Sequence, residues 1–363
     1  MSGVLAGLRV LEFAAIGPVP WCGMLLADLG ADIVRIERPG SHGEPDTLGA
    51  VRRGRTCVEI DLKTPDGRRD ALALAAAADV LLEGLRPGAM ERLGLGPDDA
   101  RARNPRLVYA RMTGWGQTGP LAQQAGHDIN YIALTGALHA IGTPDRPLPP
   151  LNLVGDYGGG GAFLAIGLLA AAWEARRSGH GRTLDVSMVD GSAALMATLY
   201  SRLQMGQWRD ERGVNRLDGG LPWYDTYRTG DGRFVAVGAL EPAFYAALVR
   251  GLDLEADLPD RDAEAHWPEI RRQFAARFAS RTRDEWAAHF AGTDACVTPV
   301  LSLAEAPRHP HPAARGSFVA AGTGHVPAAA FLFDGVRPPP GPASTSASPQ
   351  QAIQAWSSGT APR

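Results

Sequence analysis

Strands that alternate with helices over the first half of the chain predict an α/β fold on a mostly parallel sheet, with a smaller α+β lobe after it. Three observations predict this. The runs Arg9 to Phe13, Trp21 to Leu29 and Asp32 to Glu37 read as strand, helix and strand, one βαβ unit of about thirty residues. The alternation then repeats through Met112. Past residue 220, Tyr224 to Tyr227 and Phe234 to Gly238 flank the turn Gly230-Asp231-Gly232, the pattern of a β-hairpin. A chain of 363 residues also exceeds what one core usually supports, so two lobes are expected.

After the first βαβ unit, Cys57 to Lys63 is a short extended run. Pro65-Asp66-Gly67 opens a helix through Ala78, Asp79 to Glu83 is a strand, Arg86-Pro87-Gly88 begins a helix with Glu91 and Arg92, and Leu107 to Met112 is a strand. Ala162 to Trp173 is apolar all round except at Gly167; it is too short for a membrane span and reads as a buried central helix ended by Ser178-Gly179. Arg182 to Met188 alternates as a strand, and Asp190 to Met205 reads as a helix. Gln207 to Gly220 is polar and glycine-containing, as a linker is. Helices at Pro242 to Leu252, Trp267 to Phe278 and Arg283 to Phe290 precede the strand Cys296 to Val300. After His311 the chain is Pro/Ala/Gly/Ser-rich and too poor in apolar residues to build a core. These readings divide the chain into a large domain 1–206, a linker 207–222, a small α+β domain 223–312 and a tail 313–363.

With 36 basic and 39 acidic residues the net charge is −3, which argues against a nucleic-acid or membrane-surface footprint and leaves any anionic ligand to local arginines. Cys22, Cys57 and Cys296 are far apart and lack CxxC spacing, so neither a disulfide framework nor a zinc site is expected. Together with a start lacking a basic, apolar leader and an end, Ala361-Pro362-Arg363, that is no peroxisomal tripeptide, this places the protein in the cytoplasm. The loop Ile16 to Pro20 has prolines where a dinucleotide fold has glycines, so NAD is discounted although Glu37 sits where the ribose acid would. Lys63 is the only lysine, and codon bias accounts for the arginines without explaining why one lysine stayed.

The chemistry concentrates between Gly126 and Gly161. His127 stands beside Asp128, and Asp156 stands before the run Gly158 to Gly161. A histidine titrates near neutrality, and a carboxylate does so when its surroundings raise its pKa, so the two facing one carbon make a proton-transfer site. Glycines without Cβ suit a backbone that approaches a ligand or a neighbouring helix closely. Each residue also has a plainer reading: His127 as a satisfied structural histidine, Asp156 as an N-cap, Glu241-Pro242 as an ordinary first helical turn. Arg38, Arg86 and Arg92 recur near strand ends, where an anion binds in such sheets.

The stretches Leu5 to Glu12, Asp28 to Asp32 with Arg38-Pro39, Asp61-Leu62-Lys63, Glu83 to Gly88, Arg106 to Pro120, Gly126 to Tyr131, Gly155-Asp156 and Leu217 to Gly220 resemble the class III CoA-transferase family. Gly126-His127-Asp128 together with Glu241 resembles its α-methylacyl-CoA racemase branch. The resemblance implies a Rossmann-like large domain and a smaller domain, two chains interlocking as a homodimer, with residues 313–363 returning to the large domain. It implies an acyl-CoA thioester substrate, with CoA as part of the substrate and no separate cofactor. It further implies His127 and Asp156 as the two bases flanking the α-carbon, Glu241 orienting His127, and Asp128 near Asp156. Arg38, Lys63, Arg86 and Arg92 fall on the motifs that hold the nucleotide and pyrophosphate, with Leu62 and Glu83 alongside. The expected reaction is interconversion of 2-methylacyl-CoA epimers through an enolate, stabilised by backbone N–H groups near the glycine-rich turn. The alternative within the family is a CoA-transferase in which Asp156 is the nucleophile.

Overall fold

The computed structural model describes residues 3–41 and 49–358. His42 and the terminal tripeptide therefore lie outside the described residues. The chain divides into two compact units, one of residues 1–137, 150–196 and 313–363, the other of residues 138–149 and 197–312.

The first unit is built on a seven-stranded sheet whose order is Thr345–Ala347, Arg55–Glu59, Asp32–Glu37, Arg9–Phe13, Val80–Glu83, Val108–Thr113, Thr183–Ser187. All six pairings are parallel. Central strands buried on both faces read as continuous apolar runs, and Val10 and Leu11, on opposite faces, are both fully buried. One face packs on the helices Pro18–Asp28 and Phe163–Ser178 through Cys22, Leu26, Leu164 and Leu168; the other packs on Pro65–Ala77 and Pro349–Ser357 through Leu74, Ala75 and Trp356.

A cluster of buried charges sits within this sheet. Glu12 in the central strand is fully buried, accepts from Arg55 Nη2 at 3.0 Å and also pairs with Arg35. Arg35 in turn donates to Glu37 Oε1 at 2.9 Å, and Arg52 to Glu37 Oε2 at 2.6 Å. Glu37, which sits where a dinucleotide fold keeps its ribose acid, is thus bound into internal ion pairs.

Four expectations are corrected here. The helical run Leu153–Ser178 is 26 residues long, so by length and composition it is able to cross a membrane, unlike the shorter stretch marked out by its apolar composition. It is also not buried all round: Leu164, Leu168, Ala171, Ala172 and Ala175 face the core, whereas Ile166 and Trp173 are 65% and 68% exposed, because the helix covers the sheet on one side only. The stretch Asp190 to Met205 is two helices, Met188–Leu195 and Ala197–Gln204, with the chain passing from one unit to the other at Met196. The tail does join a core. Thr345–Ala347 adds an edge strand beside Arg55–Glu59, and Ser348 caps the helix Pro349–Ser357, which buries Ala352 and Trp356. Trp356 Nε1 donates to Asp32 Oδ2 at 2.8 Å, and Gly341 N to Asp28 Oδ1 at 2.9 Å.

The second unit holds the antiparallel sheet Val297–Pro299, Phe234–Gly238, Tyr224–Arg228 and the helices Pro242–Gly251, Trp267–Phe278 and Arg283–His289. Val235, Phe274, Phe278 and Trp286 are fully buried among them. Residues 207–222 lie within this unit, where Asp218 accepts from the N–H groups of Gly213, Asn215 and Gly220 at 2.8 to 3.1 Å.

Removing the Trp356 side chain takes away a buried ring and its bond to Asp32. Trp356→Ala should therefore cost about 3–5 kcal/mol in urea unfolding. A loss under about 1 kcal/mol would show that the tail is not docked.

Candidate active site

After the strand Val108–Thr113 the chain leads to the short helix Asp128–Ala133, with His127 at its N-cap in extended conformation. The His127 N–H donates to Asn130 Oδ1 at 3.1 Å, a reciprocal start that sets the helix off at this residue. His127 is exposed, while Asp128 in the first turn is 7% exposed. One Asp128 oxygen, Oδ1, accepts from the backbone N–H of Asp156 at 2.7 Å. The other, Oδ2, is buried without a hydrogen-bond partner among the described residues.

Asp156 is not an N-cap. It lies in the first turn of a π-helix, Leu153–Ala162, that runs straight into the α-helix Phe163–Ser178. Asn152 Nδ2 donates to Asp156 Oδ2 at 3.2 Å. The glycines around it serve close packing. A Cβ at Gly155 would overlap the Asp128 carboxylate, one at Gly159 would lie 2.5 Å from Ser192 Oγ, and one at Gly161 would lie 2.6 Å from the Trp21 ring. The widened helix is thereby seated between Pro18–Asp28 and Met188–Leu195. Gly17, with φ 66°, passes Asp156 so closely that a Cβ there would lie 3.0 Å from Oδ2.

This setting alters the acid. Burial pushes the Asp156 carboxyl above the usual carboxylate range; the Asn152 hydrogen bond opposes the rise, the Asp128 charge adds to it, and His127 draws it back down. Among the backbone N–H groups near the glycine-rich turn, that of Asp156 is already engaged by Asp128.

Most of the other expected site residues fall at the carboxyl ends of neighbouring strands, where ligands bind in parallel sheets. Arg38 directly follows Asp32–Glu37, Leu62 and Lys63 follow Arg55–Glu59, and Arg86 and Arg92 follow Val80–Glu83. Arg38, Lys63, Arg86 and Arg92 are exposed, and Leu62 is half-buried. Glu83 is buried: it accepts from Arg111 Nε at 3.0 Å and from the Leu85 N–H at 2.7 Å, and burial pushes its carboxyl up. Glu241 belongs to the second unit, where it is the exposed N-cap of Pro242–Gly251. The structure thus brings Asp128, Asn152 and Asp156 into one hydrogen-bonded group with His127 at its edge. The sequence does not single out Asn152 or Gly17, although the four-residue spacing of Asn152 from Asp156, one helical turn, is a signal for the first. Among the described residues no cluster of three His, Cys, Asp or Glu suits a metal ion.

The model of the family described as CoA-transferase family III matches residues 5–351. The chain belongs to this family. Alpha-methylacyl-CoA racemase of Mus musculus is 49% identical over 321 residues, covering 88% of this chain and 83% of the mouse protein. Alpha-methylacyl-CoA racemase of Homo sapiens is 47% identical over 317 residues, covering 87% and 82%. Among solved structures, that of Rv3272 from M. tuberculosis superposes with a TM-score of 0.77 at 29% identity, covering 95% of this chain and 97% of that one.

In this family III chain the raised Asp156 carboxyl has a consequence for stability. A carboxyl whose folded pKa is raised contributes stability that is present below its unfolded pKa and lost as pH rises through the folded one. Asp156→Asn keeps an acceptor for Asn152 and removes that loss. Its melting temperature should therefore exceed wild type at pH 7, with the difference shrinking as pH falls into the carboxylate range. A variant that melts lower at pH 7 would contradict the desolvation of Asp156.

Proposed function

We propose that the chain is an α-methylacyl-CoA racemase, an isomerase that interconverts (2R)- and (2S)-2-methylacyl-CoA through an enolate. The observation that carries the reading is the Asp156 carboxyl, desolvated and raised, clamped through its backbone by Asp128 and within electrostatic reach of His127. The sequence identity to mouse and human racemases supports it.

A proton α to a thioester is weakly acidic, and a base removes it well when its conjugate acid is matched to the working pH. One of His127 and Asp156 takes the proton from one face of the α-carbon, and the conjugate acid of the other returns a proton to the opposite face. Charge on the enolate oxygen falls to donors other than the Asp156 N–H, which is spent on Asp128. Arg38, Lys63, Arg86 and Arg92 hold the nucleotide and pyrophosphate, Leu62 packs alongside, and Glu83 acts there by fixing the loop after its strand through Leu85 and Arg111. The chemistry calls for no metal or redox cofactor, and CoA enters as part of the substrate. A homodimer accords with the uncovered apolar residues Ile166 and Trp173, and three free thiols accord with the cytoplasm.

The test is to incubate one epimer of a 2-methylacyl-CoA in D2O without an acceptor acid. Deuterium should enter C2 as configuration scrambles. Transfer of CoA to an added carboxylic acid without exchange at C2 would replace the reading by a transferase with Asp156 as nucleophile. His127→Ala should abolish epimerisation and leave CoA affinity near wild type; normal turnover would remove His127 from the site. Lys63→Glu should raise the KM for acyl-CoA about tenfold, the scale of one lost charge-assisted contact. An unchanged KM would take Lys63 out of the nucleotide site.

A further inference from the structure

We propose that Tyr131 is a positioning residue for His127, acting through the Gly126 carbonyl; the inference rests on the racemase reading above. Tyr131 lies in the helix that His127 begins and is 7% exposed. Its hydroxyl donates to the carbonyl oxygen of Gly126, the peptide that leads into His127. The backbone just before the base is thus tied to the helix just after it.

The ring is shut into place from several sides. It meets Trp115 edge to face, with centroids 4.7 Å apart at 84°. A Cβ at Gly114 would overlap the Tyr131 ring, and one at Gly126 would lie 2.7 Å from it and 2.9 Å from Trp115. Gly114, directly after the strand Val108–Thr113, and Gly126, directly before His127, therefore both yield their side-chain space to one aromatic ring. The turn that carries His127 is wrapped around Tyr131 at both ends. Burial raises the phenol pKa, and the charges of Asp156 and Asp128 add to the rise, so the hydroxyl stays a donor at neutral pH.

Filling space requires only the ring. Holding the Gly126–His127 peptide requires the hydroxyl, and the direction of the imidazole follows from that peptide. Tyr131→Phe separates the two, because it keeps the ring and deletes the donor. The readout is loss of α-deuterium to water from each 2-methylacyl-CoA epimer separately. The epimer deprotonated by His127 is the one whose washout His127→Ala abolishes. Tyr131→Phe should slow washout from that epimer about tenfold or more, as misplacement of a reacting group does. The other epimer's washout and the KM for acyl-CoA should stay near wild type. Gly126→Ala, which crowds the same ring from the other side, should give the same one-sided loss and serves if the Phe variant melts early. Wild-type washout from both epimers, or equal loss from both, would overturn the assignment. The wild-type control separates the two levels: no washout at all would sink the racemase reading, whereas normal wild-type washout with an unaffected variant would sink only the role of Tyr131.

Discussion

The hydrogen bond from the Asp156 N–H to the Asp128 carboxylate, 2.7 Å long, joins two segments that lie 28 positions apart in the chain. Both acid groups and the histidine beside them depend on it. Asp128 is held in the first turn of its helix by the N-cap at His127, so the bond sets where the π-helix begins relative to His127. Gly155 has to lack a side chain because the Asp128 carboxylate lies against it. A widened helical turn packs poorly unless its neighbours come close, and Gly159 and Gly161 provide that approach to Ser192 and Trp21. The bond also spends one carboxylate oxygen and leaves the other buried and unpaired, which adds negative potential at Asp156.

The sheet beneath is held by charges as well as by apolar packing. Glu12 is fully buried in the central strand and is satisfied by Arg35 and Arg55 from the two strands on one side. Such a group adds little net stability when paired, and removing one partner leaves an uncompensated charge. On the other side of the central strand, Arg111 ties Glu83 to Glu91 across the loop in which Arg86 stands. The exposed cations Arg38, Lys63, Arg86 and Arg92 are thus set on backbone that buried ion pairs keep in register.

How much of this was legible in the sequence depended on whether the signal was local. Strands such as Asp32–Glu37 and helices such as Trp267–Phe278 were readable to the residue, because apolar runs and end signals mark them directly. His127, Asp128 and Asp156, which the structure groups together, stand out in the sequence through their motif. The π-helix was not, since its turn differs from an α-turn by one residue, and glycines carry no periodicity. The return of the tail was implied by the family resemblance but not by composition, which averages over many prolines and serines and hid Ala352 and Trp356 one turn apart on a helix that reaches back to Asp32. The buried charges were missed for a related reason: Glu12, Arg35 and Arg55 become partners only once three strands lie side by side.

Desolvation, reinforced by Asp128, raises the Asp156 carboxyl, and the racemase reading proposed above has that raised carboxyl serve as both acid and base. Its own titration tests this most directly: carbon-13 NMR of protein labelled at aspartate carboxyls, with the Asp156→Asn spectrum used to assign the resonance. The account predicts a midpoint above that of ordinary aspartates in the same spectrum, moving lower when Asp128 is changed to Asn. A midpoint at or below the ordinary aspartate range would contradict it.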